Sequence, residues 1–210
     1  EYLELGPGYF TRYRLNEQEL LVVQEIVCES WLKQIYQELP ANVAKNIESA
    51  GISQYHQSSY LVNHDTLWSK RNRILGKDAV EKIRQMSILR ALEEEFGRFD
   101  ISDEDDIGHE EIYWRLVRPH MPSDVGPLHA DKWFWDLGHG HLPTGYKRVK
   151  AWIALYCEPG LNGFRFVPHS QKRDWQYNEE QRNGMRKPRI MVSEKDLDIV
   201  SFDSKPGDSI

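Results

Sequence analysis

The chain has 210 residues, 40% hydrophobic and 11% aromatic, enough to bury one large core and too apolar for a disordered or collagen-like chain. Its 27 basic and 33 acidic side chains leave a net charge of −6, which gives no global footprint for nucleic acid or an anionic membrane. The longest unbroken apolar run, Ala151 to Cys157, falls far short of the roughly 20 residues of a membrane-spanning helix.

In chain order, the first half reads as helical. Asn16 and Glu19 stand at capping-box spacing, and Leu20, Val23, Val27, Trp31, Ile35 and Leu39 follow at steps of three or four until Pro40. Residues 54–72 are polar with scattered aromatics and read as irregular structure or a short helix. A second helix is predicted from about Asp78, with Val80, Ile83, Met86, Leu89, Leu92 and Phe96 on one stripe and Gly97 as its stop. The acidic run Asp103-Glu104-Asp105-Asp106 then reads as a solvated connector.

Beyond it the period changes from helix to strand. Ile112, Trp114 and Leu116 alternate with Tyr113, Arg115 and Val117, and Val149 to Cys157 alternates in the same way. Pro159, Gly160, Asn162 and Gly163 predict a turn, with Phe164 to Val167 as the partner strand. Leu197 to Phe202 is a further strand, and Lys205-Pro206-Gly207-Asp208 a turn into another. Helices first and short strands after argue α+β, a single domain with a mostly helical part over 1–107 packed on a β core over 108–210.

Five of the eight histidines fall between His120 and His169. The sharpest arrangement is Pro127-Leu128-His129-Ala130-Asp131, because residues two apart in an extended segment point to the same side. His129 and Asp131 then offer a nitrogen and an oxygen to one ion, two members of a 2-His-1-carboxylate facial triad. A hydrogen-bonded His–Asp couple at the surface is the competing reading. The chain has no Gly-rich phosphate loop, no Gly-x-Ser-x-Gly elbow and no Cys-x-x-Cys pair. Its two cysteines, Cys28 and Cys157, cannot build a disulfide framework, which favours a reducing, cytoplasmic setting. The first residue is Glu1 and not Met, which leaves room for a removed leader.

His129 and Asp131 are followed by Lys132-Trp133-Phe134-Trp135, the loop Gly138-His139-Gly140-His141, the apolar strand, a Gly-containing turn and Val167-Pro168-His169-Ser170-Gln171-Lys172. This order resembles the phytanoyl-CoA dioxygenase-like family of Fe(II)/2-oxoglutarate-dependent oxygenases over about 112–210. His169 and Gln171 stand where that family has Gly and His in its Val-Pro-Gly-Ser-His-Lys stretch. The resemblance implies a double-stranded β-helix, or jelly roll, with N-terminal helices packed on it and its last strands not included in this chain. It implies Fe(II) held by His129 and Asp131, and 2-oxoglutarate and dioxygen as co-substrates. The distal histidine and the arginine for the 2-oxoglutarate carboxylate are expected beyond Ile210.

The resemblance also places Tyr113 and Arg115 near the co-substrate and Trp135 near the substrate, and Trp133 and Arg165 are further substrate-contact candidates. Halogenating relatives lack the carboxylate, so Asp131 implies hydroxylation. His139, His141 and His169 are weaker ligand candidates, and Trp152 reads as packing. The segment 171–189 carries six basic and three acidic side chains, a loop whose charge suits a small anionic organic substrate at the mouth of the site. No nucleic-acid or membrane partner is expected. A jelly-roll, cupin-like binding or structural protein without 2-oxoglutarate chemistry is the alternative from another class.

Overall fold

The capping box predicted at Asn16 forms in full. In the computed structural model, which describes residues 13–140, 143–146, 148–157, 164–182, 185–201 and 204–210, α1 spans Glu17–Glu38. The Asn16 side chain accepts from the Glu19 N–H at 2.9 Å, and the Glu19 carboxylate accepts from the Asn16 N–H at 3.4 Å. Val23, Val27, Trp31 and Ile35 bury the predicted stripe, with Ile26 added, while Leu20 and Leu39 at its ends are half-buried. Pro40 cannot continue α1 and instead opens α2, Ala41–Ala50.

Residues 51–73 are short 3₁₀ turns around α3 (His64–Leu67), in line with the irregular stretch expected there. The single helix expected from Asp78 to Phe96 is two, α4 (Lys77–Arg84) and α5 (Ser87–Phe96), broken at Met86, whose backbone is extended. The cause is Glu19. Its carboxylate accepts from the Ser87 N–H at 2.6 Å and the Ser87 hydroxyl at 2.8 Å, supplying acceptors to a fresh helix start. Burial pushes the Glu19 pKa up, but these hydrogen bonds outweigh it and hold the carboxyl below its ordinary value. Gly97, at φ 81°, ends α5 as predicted.

The core runs through the helices to Trp114. Ile35, Ala44 and Ile47 are fully buried, and Tyr55 meets Trp68 edge-on at 5.8 Å, with Trp114 on Trp68 at 5.2 Å. The acidic connector is not simply solvated. Lys70 reaches Glu104, Asp105 and Glu111 at 2.8, 2.9 and 2.7 Å, and Asp103 accepts from the Ile107 and Gly108 N–H groups.

The predicted strands are realised mainly as short ladders. Residues 112–114 pair with 73–75 through Leu75 N–H to Ile112 O and Trp114 N–H to Arg73 O. Residues 207–210 lie between 13–15 and 152–154. Trp152 and Ile210 exchange both backbone bonds at 2.8 Å, and Leu15 donates to Gly207 O at 2.9 Å. The turn predicted at 205–208 is present, closed by Lys205 N–H to the Asp208 carboxylate at 2.8 Å. Gly207, at φ 95°, suits the left-handed step, and an added Cβ there meets Leu15 O at 3.3 Å.

A short helix, α6 (Asp131–Asp136), precedes the remaining strands. β1 (Arg165–Phe166) pairs antiparallel with β4 (Val200–Ser201), not with the 149–157 segment as the turn residues suggested. The basic segment read as a loop is instead mostly an antiparallel hairpin of β2 (Tyr177–Arg182) and β3 (Met185–Ile190). Each sheet among the described residues has two strands. The predicted turn at 159–163, Phe202 and His141 lie outside the described residues. No helix of the described residues is long and apolar enough to cross a membrane.

Candidate metal centre

His129 and Asp131 do not sit on a strand. Asp131 is the first residue of α6 and Ala130 its N-cap. A carboxylate in the first turn suits the helix dipole, and Trp133 and Leu137, four apart, bury one helical face. Ala130 itself is extended (φ −97°, ψ 135°), so the two-residue relation predicted for a strand survives across this one residue. The His129 Nε2 lies 3.6 Å from Asp131 Oδ1.

The other ring nitrogen fixes the tautomer. His129 Nδ1 is 2.8 Å from the Pro127 carbonyl, which can only accept, so Nδ1 carries the hydrogen and donates it. In the neutral ring Nε2 then holds a lone pair facing a carboxylate oxygen. Two acceptors at that distance call for a cation between them, a proton or a metal. A histidine whose second N–H goes to a backbone carbonyl is the usual arrangement of a metal ligand. Nitrogen and oxygen donors lie about 2.1 Å from a first-row metal, so two donors of one ion stand no more than about 4.2 Å apart. The 3.6 Å separation fits. The His129 ring is braced by Phe134 edge-on at 5.0 Å.

Lys150 completes the surroundings of the carboxylate. Its Nζ is 3.3 Å from the same Asp131 Oδ1, and it stands 6.0 Å from the centre of the Tyr113 ring. Burial raises the Asp131 pKa, but the neighbouring His129 ring and the charge of Lys150 prevail and hold it below the ordinary carboxylate range. Burial likewise disfavours the Lys150 ammonium, and Asp131 and Tyr113 overcome it and push its pKa up. Nothing local in the sequence marked Lys150, which the strand pattern placed on the polar face.

The other predicted residues are spread more widely. Tyr113 joins the site through Lys150, and Lys70 and Arg73 also face its ring, at 5.1 and 5.7 Å. Arg115 is exposed and donates to the Asp124 carbonyl at 3.1 Å. Arg165 pairs with Glu194 at 3.4 Å. Trp133 is buried and stacked on Tyr177 at 4.9 Å, and Trp135 lies under Arg148 at 4.5 Å. Trp152 packs near Phe164 at 6.0 Å.

His139 is committed to the Arg186 carbonyl at 2.7 Å, and His169 forms a left-handed turn at φ 58°. The charges of the hairpin are largely paired across its strands, Arg186 with Glu179 and Arg189 with Glu180. The excess of basic over acidic side chains in 171–189 is unchanged by these two pairs.

No third His, Cys, Asp or Glu completes a cluster with His129 and Asp131 among the described residues. The one such cluster found among them, Glu104, Asp105 and Glu111, already holds the Lys70 ammonium. Burial opposes the Lys70 charge, yet the three carboxylates push its pKa well up. A histidine nitrogen and a carboxylate oxygen 3.6 Å apart, with a lysine beside the carboxylate, are therefore what the fold assembles here, and no protein-family model, curated protein or solved structure matches the chain.

Proposed function

We propose that the protein is a non-haem Fe(II)/2-oxoglutarate-dependent dioxygenase on a jelly-roll core, acting in the cytoplasm as a hydroxylase of a small anionic organic metabolite. The observation that carries this reading is the fixed His129 tautomer, with Nε2 turned to Asp131 Oδ1 at 3.6 Å. The sequence resemblance around these two residues supplies the reaction class. The ladder that sets 207–210 between 13–15 and 152–154 is compatible with such a core.

Iron bound there would supply oxidative decarboxylation of 2-oxoglutarate and insertion of one oxygen atom into a C–H bond. The roles of the protein are positional. The Pro127 carbonyl keeps the lone pair of His129 on Nε2, and Phe134 holds the ring plane. Lys150 fixes the orientation of the Asp131 carboxylate by taking part of Oδ1. Tyr113 and Trp135 are walls for the organic ligands, and Arg148 covers one side of Trp135.

The test is Fe(II) titrated anaerobically into the protein and into His129→Ala and Asp131→Ala, followed by succinate formation from 2-oxoglutarate in air. Iron binding and succinate in the parent, both lost about a hundredfold or more in each variant, are expected. Iron affinity and succinate unaffected by both substitutions overturn the reading. The alternative, a binding protein without this chemistry, is favoured by one observation: Lys150 already neutralises Asp131. It predicts that the parent binds no iron and makes no succinate.

A further inference from the structure

We infer that the Lys150 ammonium is the resident counter-ion of the metal-free site, and that an entering divalent metal displaces it from Asp131. This rests on the metal centre proposed above and deepens it, by giving Lys150 control over how tightly the site loads.

One oxygen is claimed from two sides. Asp131 Oδ1 is 3.6 Å from His129 Nε2 and 3.3 Å from Lys150 Nζ. Nε2 brings a lone pair and no hydrogen, because the Pro127 carbonyl keeps the hydrogen of the neutral ring on Nδ1. Lys150 supplies the positive charge that balances the carboxylate, and Asp131 is its ion-pair partner among the described residues.

A metal held by His129 and Asp131 needs that same oxygen. Its ligands stand about 2.1 Å away, so an ion on Oδ1 lies no more than about 5.4 Å from the present position of Nζ. That is inside the roughly 8 Å over which physiological salt screens charge. The ammonium and a divalent ion therefore repel one another across the site while drawing on one carboxylate, and each weakens the hold of the other.

The surroundings decide where Lys150 goes. The Tyr113 ring, 6.0 Å from Nζ, is already faced by Lys70 at 5.1 Å and Arg73 at 5.7 Å, and these two cations oppose a retreat onto its face. Water is open to it, since the Lys150 side chain is 50% exposed. A flexible four-carbon stem with a strongly hydrated head leaves such a pair at small cost. His129 and Asp131 are held independently of it, His129 by the Pro127 carbonyl and Phe134, and Asp131 by its place at the start of α6. Loading then needs one side chain to turn outward.

The experiment is anaerobic calorimetric titration of Co(II), a redox-stable stand-in for Fe(II), into the protein, Lys150→Gln, Lys150→Arg and His129→Ala. Melting temperatures are taken in EDTA and in excess Co(II). Lys150→Gln is expected to bind Co(II) at least about tenfold more tightly than the parent, although its Tm in EDTA is no higher. Its Tm then rises further than that of the parent when Co(II) is added. Lys150→Arg keeps the charge and is expected to bind as the parent does, and His129→Ala to lose binding. A measurement on the unaltered protein keeps the test valid if Lys150→Gln does not fold. Acetylation of Lys150 by acetic anhydride, mapped by mass spectrometry against the exposed Lys77, is expected to rise several-fold when Co(II) is bound. Co(II) binding in Lys150→Gln no tighter than in the parent overturns the displacement and leaves the metal centre standing. So does an equal gain in Lys150→Arg, or acetylation of Lys150 that Co(II) does not alter. Uptake by Lys150→Gln but not by the parent supports the displacement and refutes the iron reading of the parent. No uptake by either, or uptake unchanged in His129→Ala, overturns both.

Discussion

The helical half and the strand half of this protein are held together by different forces. The buried apolar cluster runs from Tyr13 to Trp114, and residues 150–157 join it only through Ile153 and Leu155 at its margin. Beyond Trp114 the described contacts are short backbone ladders, ion pairs and aromatic edges, with Leu116, Ile153 and Leu155 packed on the margin of the apolar cluster and Trp133 and Leu137 as a small local anchor. Apolar burial stabilises in proportion to area and tolerates no gap, whereas exposed ion pairs contribute little each. The candidate site sits where the two regimes meet. Arg73 and Lys70 come from the half that holds the apolar cluster, and His129, Asp131 and Lys150 from the half beyond Trp114.

Substitutions in the two regions sharpen that contrast. Trp31→Ala, at 1% exposure the centre of α1, is expected to cost about 3–5 kcal/mol. Trp152→Ala, half-buried against Phe164, should cost less than half as much. Thermal or urea unfolding followed by circular dichroism ranks them, and equal losses refute the two-regime picture.

Next in size is the buried cluster at the seam. The Asp124 carboxylate is 1% exposed and takes a bidentate Arg118, while His64 lies 3.6 Å away and bonds to Tyr55 through Nδ1. Asp124→Asn leaves Arg118 with no charged partner and is expected to cost about 3 kcal/mol.

The same cluster sets a pH dependence. Burial is the largest influence on His64 and holds its pKa below the ordinary 6.5, against the pull of Asp124. The unfolded chain therefore binds more protons just below pH 6.5, and stability falls as the pH drops through that window. Burial raises the Asp124 pKa, but Arg118 overrides it and the net shift is downward from 3.8, so its contribution persists above that value and is lost on further acidification. Urea midpoints measured from pH 8 to 3 should show both steps, and His64→Asn should flatten the first. An unaltered slope between pH 6.5 and 5 in that variant refutes the assignment.

The smaller effects concern helix ends and the surface. Asn16→Ala removes the cap of α1 and is expected to cost about 1 kcal/mol, read as a lower urea midpoint at constant m-value. Arg189→Ala breaks an exposed cross-strand pair with Glu180 and should change stability by less than about 1 kcal/mol. A larger loss there shows that the hairpin carries more of the fold than its ion pairs indicate.

The sequence by itself determined what depends on short range. The Asn16–Glu19 box, the α1 stripe, the Gly97 stop, the 205–208 turn and the pairing of His129 with Asp131 all follow from spacings of four residues or fewer. Although Asp131 opens a helix, α6, the relation of His129 to Asp131 survived, because it needed only one extended residue. The tertiary structure alone decided the break at Met86, where Glu19 reaches Ser87, and the partner of β1. It also decided which carboxylates Lys70 and Lys150 meet. Backbone periodicity and capping act between near neighbours, so they are written locally. A charged side chain carries no mark of its partner until distant segments fold together, and by pattern alone it reads as surface.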